Sequence, residues 1–302
     1  MGVAVKAYDE FSMFQDNATE YGVAWKGAPT VRRTEVDTSG GRISALVWGT
    51  SEPECVFIHG GAQNAHTWDT VMLALDRPGI CVDVPGHGHS QWRDDGDYSP
   101  WRNADTLAEA IAALAPQAKV VTGMSLGGLT TIRLASAHPH IVRRAVIVDV
   151  TPGVDAEKSK LITNFVNGPQ FFESFDELLA RTIEHNPTRT EASLRRGVLH
   201  NAHQLDDGTW KWRYDRLSRG KGMTEGVVDF AKLWDDVDNI TAPVLLAVGT
   251  QTGTVVNADD VAEFQRRQPT LRVEYFTNSG HSLQGDEPVK LAETIRSFAF
   301  SD

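Results

Sequence analysis

Two cysteines in 302 residues, Cys55 and Cys81, leave no disulfide framework to hold a small fold together. Each stands in a short apolar run, so both are expected as buried thiols. No apolar run approaches the roughly 18 residues that would cross a membrane. The N-terminus has neither the basic nor the apolar region of a signal peptide, so the expected location is cytoplasmic. Positive charge is also scarce. The 29 Lys and Arg face 40 Asp and Glu, a net charge of −11, which argues against nucleic acid or an anionic membrane as partner. Internal repeats and low-complexity tracts are missing as well. The 41% of hydrophobic residues suffice for one large α/β domain with an insertion, or for two smaller domains.

What the chain does have is organised around Ala118-Lys-Val-Val-Thr-Gly-Met-Ser-Leu-Gly-Gly128. Its first half is a β-branched apolar run, and its second half carries the G-x-S-x-G pattern of a nucleophile elbow, in which a strand turns sharply into a helix. The serine of such a turn sits in a strained backbone conformation, and side chains at positions 123 and 127 would collide with the strand or the helix. Glycines stand at both. The hydroxyl of Ser125 is then expected above the strand ends, with the Leu126 N–H, at the helix start, facing the same space.

Around this stretch the pattern is that of βαβ units. Thr30 to Thr38 and Arg42 to Trp48 alternate in polarity about Ser39-Gly40-Gly41 and predict a hairpin. Strands follow at Cys55 to Ile58, Ile80 to Asp83, Val120 to Thr122 and Ala145 to Asp149, with helical stretches near 66–76, 103–115 and 126–138. The rhythm stops after Thr151-Pro-Gly153. Helix-like sequence runs from there to about residue 238, with capping boxes predicted at Ser174-x-x-Glu177 and Thr188-x-x-Glu191 and a turn at Asp206-Asp-Gly208. The rhythm resumes at Pro243 to Gly249 and Leu271 to Phe276, with helices near 258–268 and 288–300. Residues 1–30 read as an N-terminal arm packed on the core or on a second subunit, 31–150 and 239–302 as one core, and 151–238 as an inserted helical cap.

Four further motifs fall at strand ends, where ligands bind in open α/β sheets. They are His59-Gly-Gly-Ala62, Asp83-Val-Pro-Gly-His-Gly-His-Ser90, Asp149, and Asn278-Ser-Gly-His-Ser282. Together with the elbow they resemble the α/β-hydrolase family, from about residue 42 to the end of the chain. The resemblance implies an α/β-hydrolase fold, with a mostly parallel eight-stranded sheet flanked by helices and a lid over the site. It also implies a Ser, acid and His triad. Ser125 matches the nucleophile, and His281 the general base that an otherwise weak serine hydroxyl requires. The backbone N–H groups of Leu126 and Gly61 match the oxyanion donors. His59, His87 and His89 match positions that shape the oxyanion loop and the turn beneath it. No metal or other cofactor is expected. The acid departs from the family's commonest pattern, because the loop after Gly249 reads Thr250-Gln-Thr-Gly-Thr-Val-Val-Asn257 and holds no carboxylate. Asp149 stands where a subset of the family places the acid, with Asp259 and Asp260 as the alternatives.

A serine nucleophile disfavours the alkyl-ester chemistry that the fold performs with Asp, which leaves acyl transfer. The segment 151–238 holds Phe165, Phe171, Phe172, Phe175, Trp210, Trp212, Tyr214 and Trp234. An apolar pocket is therefore expected, lined by Trp210 and Trp212 from the cap and by Met124 and Ala62 from the core. The first expectation is a serine hydrolase acting through an acyl-enzyme on an ester or lactone of a small, largely apolar, even aromatic substrate. Carbon–carbon bond hydrolysis of a diketone, a cofactor-free oxygenase and a slow-turnover ligand receptor are the alternatives. The expected partners are that small molecule and, through the arm, a second copy of the chain in a homodimer.

Overall fold

A computed structural model of the chain describes residues 8–155, 157–186, 189–216 and 228–301. The chain opens with a helix, Phe14–Glu20, and a hairpin of β1 (Val31–Thr38) and β2 (Gly41–Trp48), closed by the pairing of Thr38 with Gly41. Then come β3 (Cys55–Ile58), β4 (Gly79–Val82), β5 (Val120–Met124) and β6 (Ala145–Val148). The segment beyond β6 contributes three short strands, β7 (Phe171–Phe172), β8 (Ala202–Gln204) and β9 (Trp210–Trp212). The main sheet is completed by β10 (Val244–Gly249) and β11 (Arg272–Phe276).

Eight strands form the main sheet in the order β1-β2-β4-β3-β5-β6-β10-β11. Both neighbours of β2 pair with it antiparallel, and every other pairing is parallel. The central strands are short and apolar throughout because helices cover both faces. Within β3, Val56 and Ile58 point to one face, and Cys55 and Phe57 to the other, as the two-residue period of a strand requires. The first face packs against helices Pro100–Leu114, Leu126–Ala137 and Ala258–Arg267, the second against Asp69–Leu75 and Pro288–Phe300. Both cysteines are free and fully buried. Burial pushes the Cys55 thiol up to about 12, so it is not a nucleophile at neutral pH.

The described part of the N-terminal arm packs on its own chain. Phe14 is buried edge-on against Trp48 with ring centroids 5.0 Å apart, and Glu10 pairs with Arg33 of β1 at 2.6 Å. Residues 1–7 of the arm lie outside the described residues.

The segment expected to be purely helical differs. Helices Lys160–Val166, Phe175–Glu184 and Glu191–Asn201 are there, but β7, β9 and β8 form a three-stranded antiparallel sheet between them. Strands of two or three residues are too short to show a period. Ser174 caps its helix by accepting from the Glu177 N–H. The following helix is capped by Thr190, not Thr188, which lies outside the described residues, as do 217–227. Phe230–Leu233 and the helix Trp234–Asp238 belong to the core and not to the cap. Leu233 and Val237 are fully buried in the main cluster, and Trp234 stands edge-on to Phe264. Among the described residues no helix is long and apolar enough to cross a membrane.

Candidate active site

The turn between β5 and helix Leu126–Ala137 shows why the sequence is glycine-rich there. A Cβ on Gly123 would stand 2.1 Å from the Gly127 carbonyl oxygen, and one on Gly127 would stand 2.2 Å from that of Ile58. Only backbone fits, so strand, turn and helix close on one another. Ser125 occupies the apex with φ 52° and ψ −121°, a conformation costing a non-glycine residue on the order of 1–3 kcal/mol. The following Leu126 opens the helix, and its N–H has no intrahelical acceptor. Gly61 lines the same cavity, with open space where a Cβ would stand.

His281 sits in the loop after β11. Its Nδ1 donates to Asp149 Oδ2 at 2.9 Å, while its Nε2 is buried without a hydrogen-bond partner, and the residue lines the cavity that also holds Ser125. Asp149, just past β6, is fully buried in a left-handed conformation at φ 47°. Its Oδ1 accepts from the Gly249 N–H at 2.9 Å and from the Thr254 hydroxyl at 2.7 Å, and its Oδ2 also accepts from the Val255 N–H at 3.2 Å. Four donors, His281 among them, hold and aim the carboxylate. The loop without a carboxylate thus supplies donors to one that arrives from the neighbouring strand. Asp260 pairs with Lys158 at 2.9 Å and caps its own helix, and Asp259 is exposed. Neither touches His281.

The other histidines of the loops hold backbone. His59 Nε2 accepts from the Val84 N–H at 3.0 Å, and His87 Nε2 accepts from the Ala62 N–H at 3.0 Å. Ala62, at φ 60°, thereby has its N–H engaged by the histidine. Beneath them Asp83 is buried on Arg33 at 2.8 Å and on the N–H groups of Ala65 and His89. Burial raises the energy of its charge, but Arg33 and these donors outweigh it and lower its pKa.

The cavity above Ser125 has a volume of about 890 Å³. Met124 and Ala62 line it, as expected, joined by Ile162, Phe165 and Val166 on the apolar side. Trp210 and Trp212 do not. They are 8% and 2% exposed and pack with Phe172, Leu178, Leu194 and Tyr214 as the core of the cap, because a small subdomain needs its large rings to bury its own sheet. Of the cap's aromatics only Phe165 reaches the cavity. The lining also includes groups that carried no motif, among them Arg189, Asp286 and Gln63. Gln63 Oε1 accepts from the Gly60 N–H at 3.0 Å and so braces the turn carrying Gly61. A lone glutamine four residues after His59 gives no pattern to find.

A family model for the alpha/beta hydrolase family matches residues 55–294. Esterase Rv0045c of Mycobacterium tuberculosis is 47% identical over 295 residues, covering 95% of each chain. A solved structure of that protein, reported with its transition metal inhibition, superposes with a TM-score of 0.87 over 98% of this chain and 100% of the other, at 45% identity. A 2-(acetamidomethylene)succinate hydrolase of Mesorhizobium japonicum is 28% identical over 82% of this chain and 88% of its own. With the sheet order, the elbow and these matches agreeing, the chain belongs to the alpha/beta hydrolase family.

Proposed function

We propose that the chain is an ester-hydrolysing serine hydrolase in which Ser125 attacks the carbonyl carbon, His281 is the general base and then the general acid, and Asp149 orients it. The observation that carries this is the pairing of His281 Nδ1 with a four-donor carboxylate, which leaves Nε2 without a partner in a residue that shares one cavity with Ser125. An aspartate on Nδ1 fixes the tautomer whose Nε2 can take the Ser125 proton, and it stabilises the imidazolium that results. The tetrahedral oxyanion then lies between the N–H groups of Leu126 and Gly61, one backed by a helix N-terminus. Collapse expels the alcohol, protonated from Nε2, and leaves an acyl-Ser125. Water activated by the same nitrogen releases the acid.

The named function of the Mycobacterium tuberculosis relative supports the ester class. The lining by Met124, Ile162, Phe165 and Val166 supports an acyl group that is small and largely apolar. The test is a panel of p-nitrophenyl esters and aromatic lactones assayed with wild type and Ser125→Ala. The variant should fold normally and lose about 10³-fold or more in kcat, with the remainder due to binding and the oxyanion donors. A fluorophosphonate should label wild type at Ser125 alone. Labelling at another residue, or a variant within tenfold of wild type, overturns the assignment.

A further inference from the structure

Beside the catalytic cavity lies a smaller one of about 170 Å³, and Gln63, Phe165, Asn186 and Arg189 line both. The N-terminal arm contributes Asn17 to it, and the cap helix Glu191–Asn201 contributes Ser193 and Arg196. The lining is largely polar. Among the described residues that form it there is no Asp or Glu, although the chain carries 40 acidic residues against 29 Lys and Arg. The side cavity therefore differs in charge from the rest of the molecule.

Its four basic residues are not equivalent. Arg196 is neutralised by Glu20 and donates to Asn17 Oδ1 at 2.8 Å. His66 has a carboxylate on each ring nitrogen, Asp69 at 2.9 Å and Glu10 at 3.0 Å. Burial keeps the ring of His200 neutral. Arg189 is left uncompensated. Its Nη2 donates to the Ser193 hydroxyl, and the guanidinium packs over Gly285, where a Cβ would stand 3.0 Å from its central carbon. Its Nε is buried without a partner, and among the described residues it joins no ion pair. Asp286 lines the catalytic cavity with it, but that carboxylate accepts from the Gly280 N–H at 3.2 Å. A buried donor of a charged group without an acceptor is more costly than a neutral one, so an anion brought to Nε removes a standing penalty.

On the reading of Ser125 as an acyl-transfer nucleophile, we infer that Arg189 forms a carboxylate subsite, and that the ester this chain hydrolyses carries a carboxylate on the part that reaches the side cavity. A guanidinium presents planar pairs of N–H donors that match a carboxylate, and the unpaired Nε–H is one arm of such a pair. Asn186 and Ser193 add neutral polar groups around it. One uncompensated positive charge matches one negative charge, which favours a carboxylate over a phosphate dianion. Phe165 lines both cavities, and with Met124, Ile162 and Val166 it holds the carbon chain between the scissile carbonyl and the charged end. The substrate is then apolar in its middle and anionic at one end. The carboxylate belongs to the acyl group, as in a monoester of a dicarboxylic acid, or to the alcohol, as in an acylated hydroxy acid.

The first measurement needs no turnover. Adipate and 6-hydroxyhexanoate are titrated calorimetrically into wild type, and at least one should bind saturably. Arg189→Gln should weaken that binding at least tenfold, and Arg189→Lys, which keeps the charge and loses the fork, should weaken it less. Arg266→Gln, on an exposed surface of the helix Ala258–Arg267, should bind as wild type does. The ligand that binds should also slow fluorophosphonate labelling of Ser125. The second measurement follows ester turnover in two arms. One compares monoethyl esters of the diacids from succinic to suberic with ethyl esters of monoacids of equal length. The other compares butanoyl esters of ω-hydroxy acids with butanoyl esters of plain alcohols. In one arm wild type should favour the carboxylate member at least tenfold in kcat/KM, and Arg189→Gln should bring that ratio to about one. Binding that depends on Arg189, with no ester turned over, would keep the subsite and remove the hydrolase reading. No binding of either acid, a preference that Arg189→Gln retains, or turnover with no preference in either arm would overturn the subsite and leave Ser125 its role.

Discussion

The sheet ends and the cap contribute to one cavity, yet they constrain their residues in different ways. At the sheet ends, chemistry and backbone geometry select the same positions. Gly123 and Gly127 have no room for a side chain, which fixes where Ser125 projects. Asp149 and His281 sit on loops whose strands are locked by parallel pairing. In the cap, the residues that would suit a ligand are the same ones the fold consumes. Trp210 and Trp212 are large and apolar and belong to the segment over the site, but they are packed with Phe172 and Tyr214. Composition cannot separate a ring that lines a pocket from a ring that holds up its wall.

The largest effect that would sharpen this contrast is expected at Asp149. Asp149→Asn keeps the shape of the side chain and should lower kcat about 10²- to 10⁴-fold while leaving the fold intact. Single-turnover kinetics beside thermal denaturation checks it. Near-normal activity would mean that the four hydrogen bonds serve structure only. Thr254→Val removes one of those donors and leaves the charge, so its effect on kcat should be a small fraction of that.

In the cap the expected outcomes invert. Trp212→Ala should cost about 3–5 kcal/mol of stability, since it empties a buried ring site, and should leave the order of preference among esters unchanged. Phe165→Ala should cost less stability, because its ring is only partly buried, and should shift KM for the longer acyl chains by several-fold. If Trp212→Ala melts normally and alters selectivity, the division between wall and lining fails.

Particular residues explain what was legible in the sequence. The order of the strands and the three candidate catalytic groups follow from runs of apolar residues ended by Gly, Asp or His, a signal carried within each segment. The absence of a carboxylate from Thr250 to Asn257 points to Asp149, and that loop still matters because its Thr254 hydroxyl donates to the Asp149 carboxylate. The strands β7, β8 and β9 escaped because two or three residues cannot display a period. Phe230 to Asp238 read as cap because helical periodicity does not state which surface a helix buries. His66, Asp69 and His200 escaped for a related reason. His200 is brought onto His66 and Asp69 only by the docking of the cap helix on the loop after β3, and no local spacing records a contact between positions so far apart.

The smallest expected effect concerns the seam between the two regions, and it follows from His66. Burial disfavours its charged form, but its two nitrogens face the carboxylates of Asp69 and Glu10, and these raise its pKa to about 9. Arg33 beyond Glu10 opposes them, and the stacked ring of His200 is kept neutral, first by burial and then by His66 itself. A folded-state pKa above the ordinary value near 6.5 means that folding takes up a proton. The stabilisation is therefore complete below about pH 6.5 and is lost as pH rises through about 9. Glu10 behaves in the opposite sense. Burial opposes its charge, yet His66 and Arg33 lower its pKa to about 2, so its contribution is present above its ordinary value of 4.5 and fades as pH falls toward 2. Tm should fall by roughly 2–5 °C between pH 7 and 9.5, and His66→Gln, which has no proton to lose there, should show a flatter profile over the same interval. Equal slopes in the two proteins would place the titrating group elsewhere. A fall seen in wild type alone would locate it at the joint where the arm, the cap helix and the loop after β3 meet.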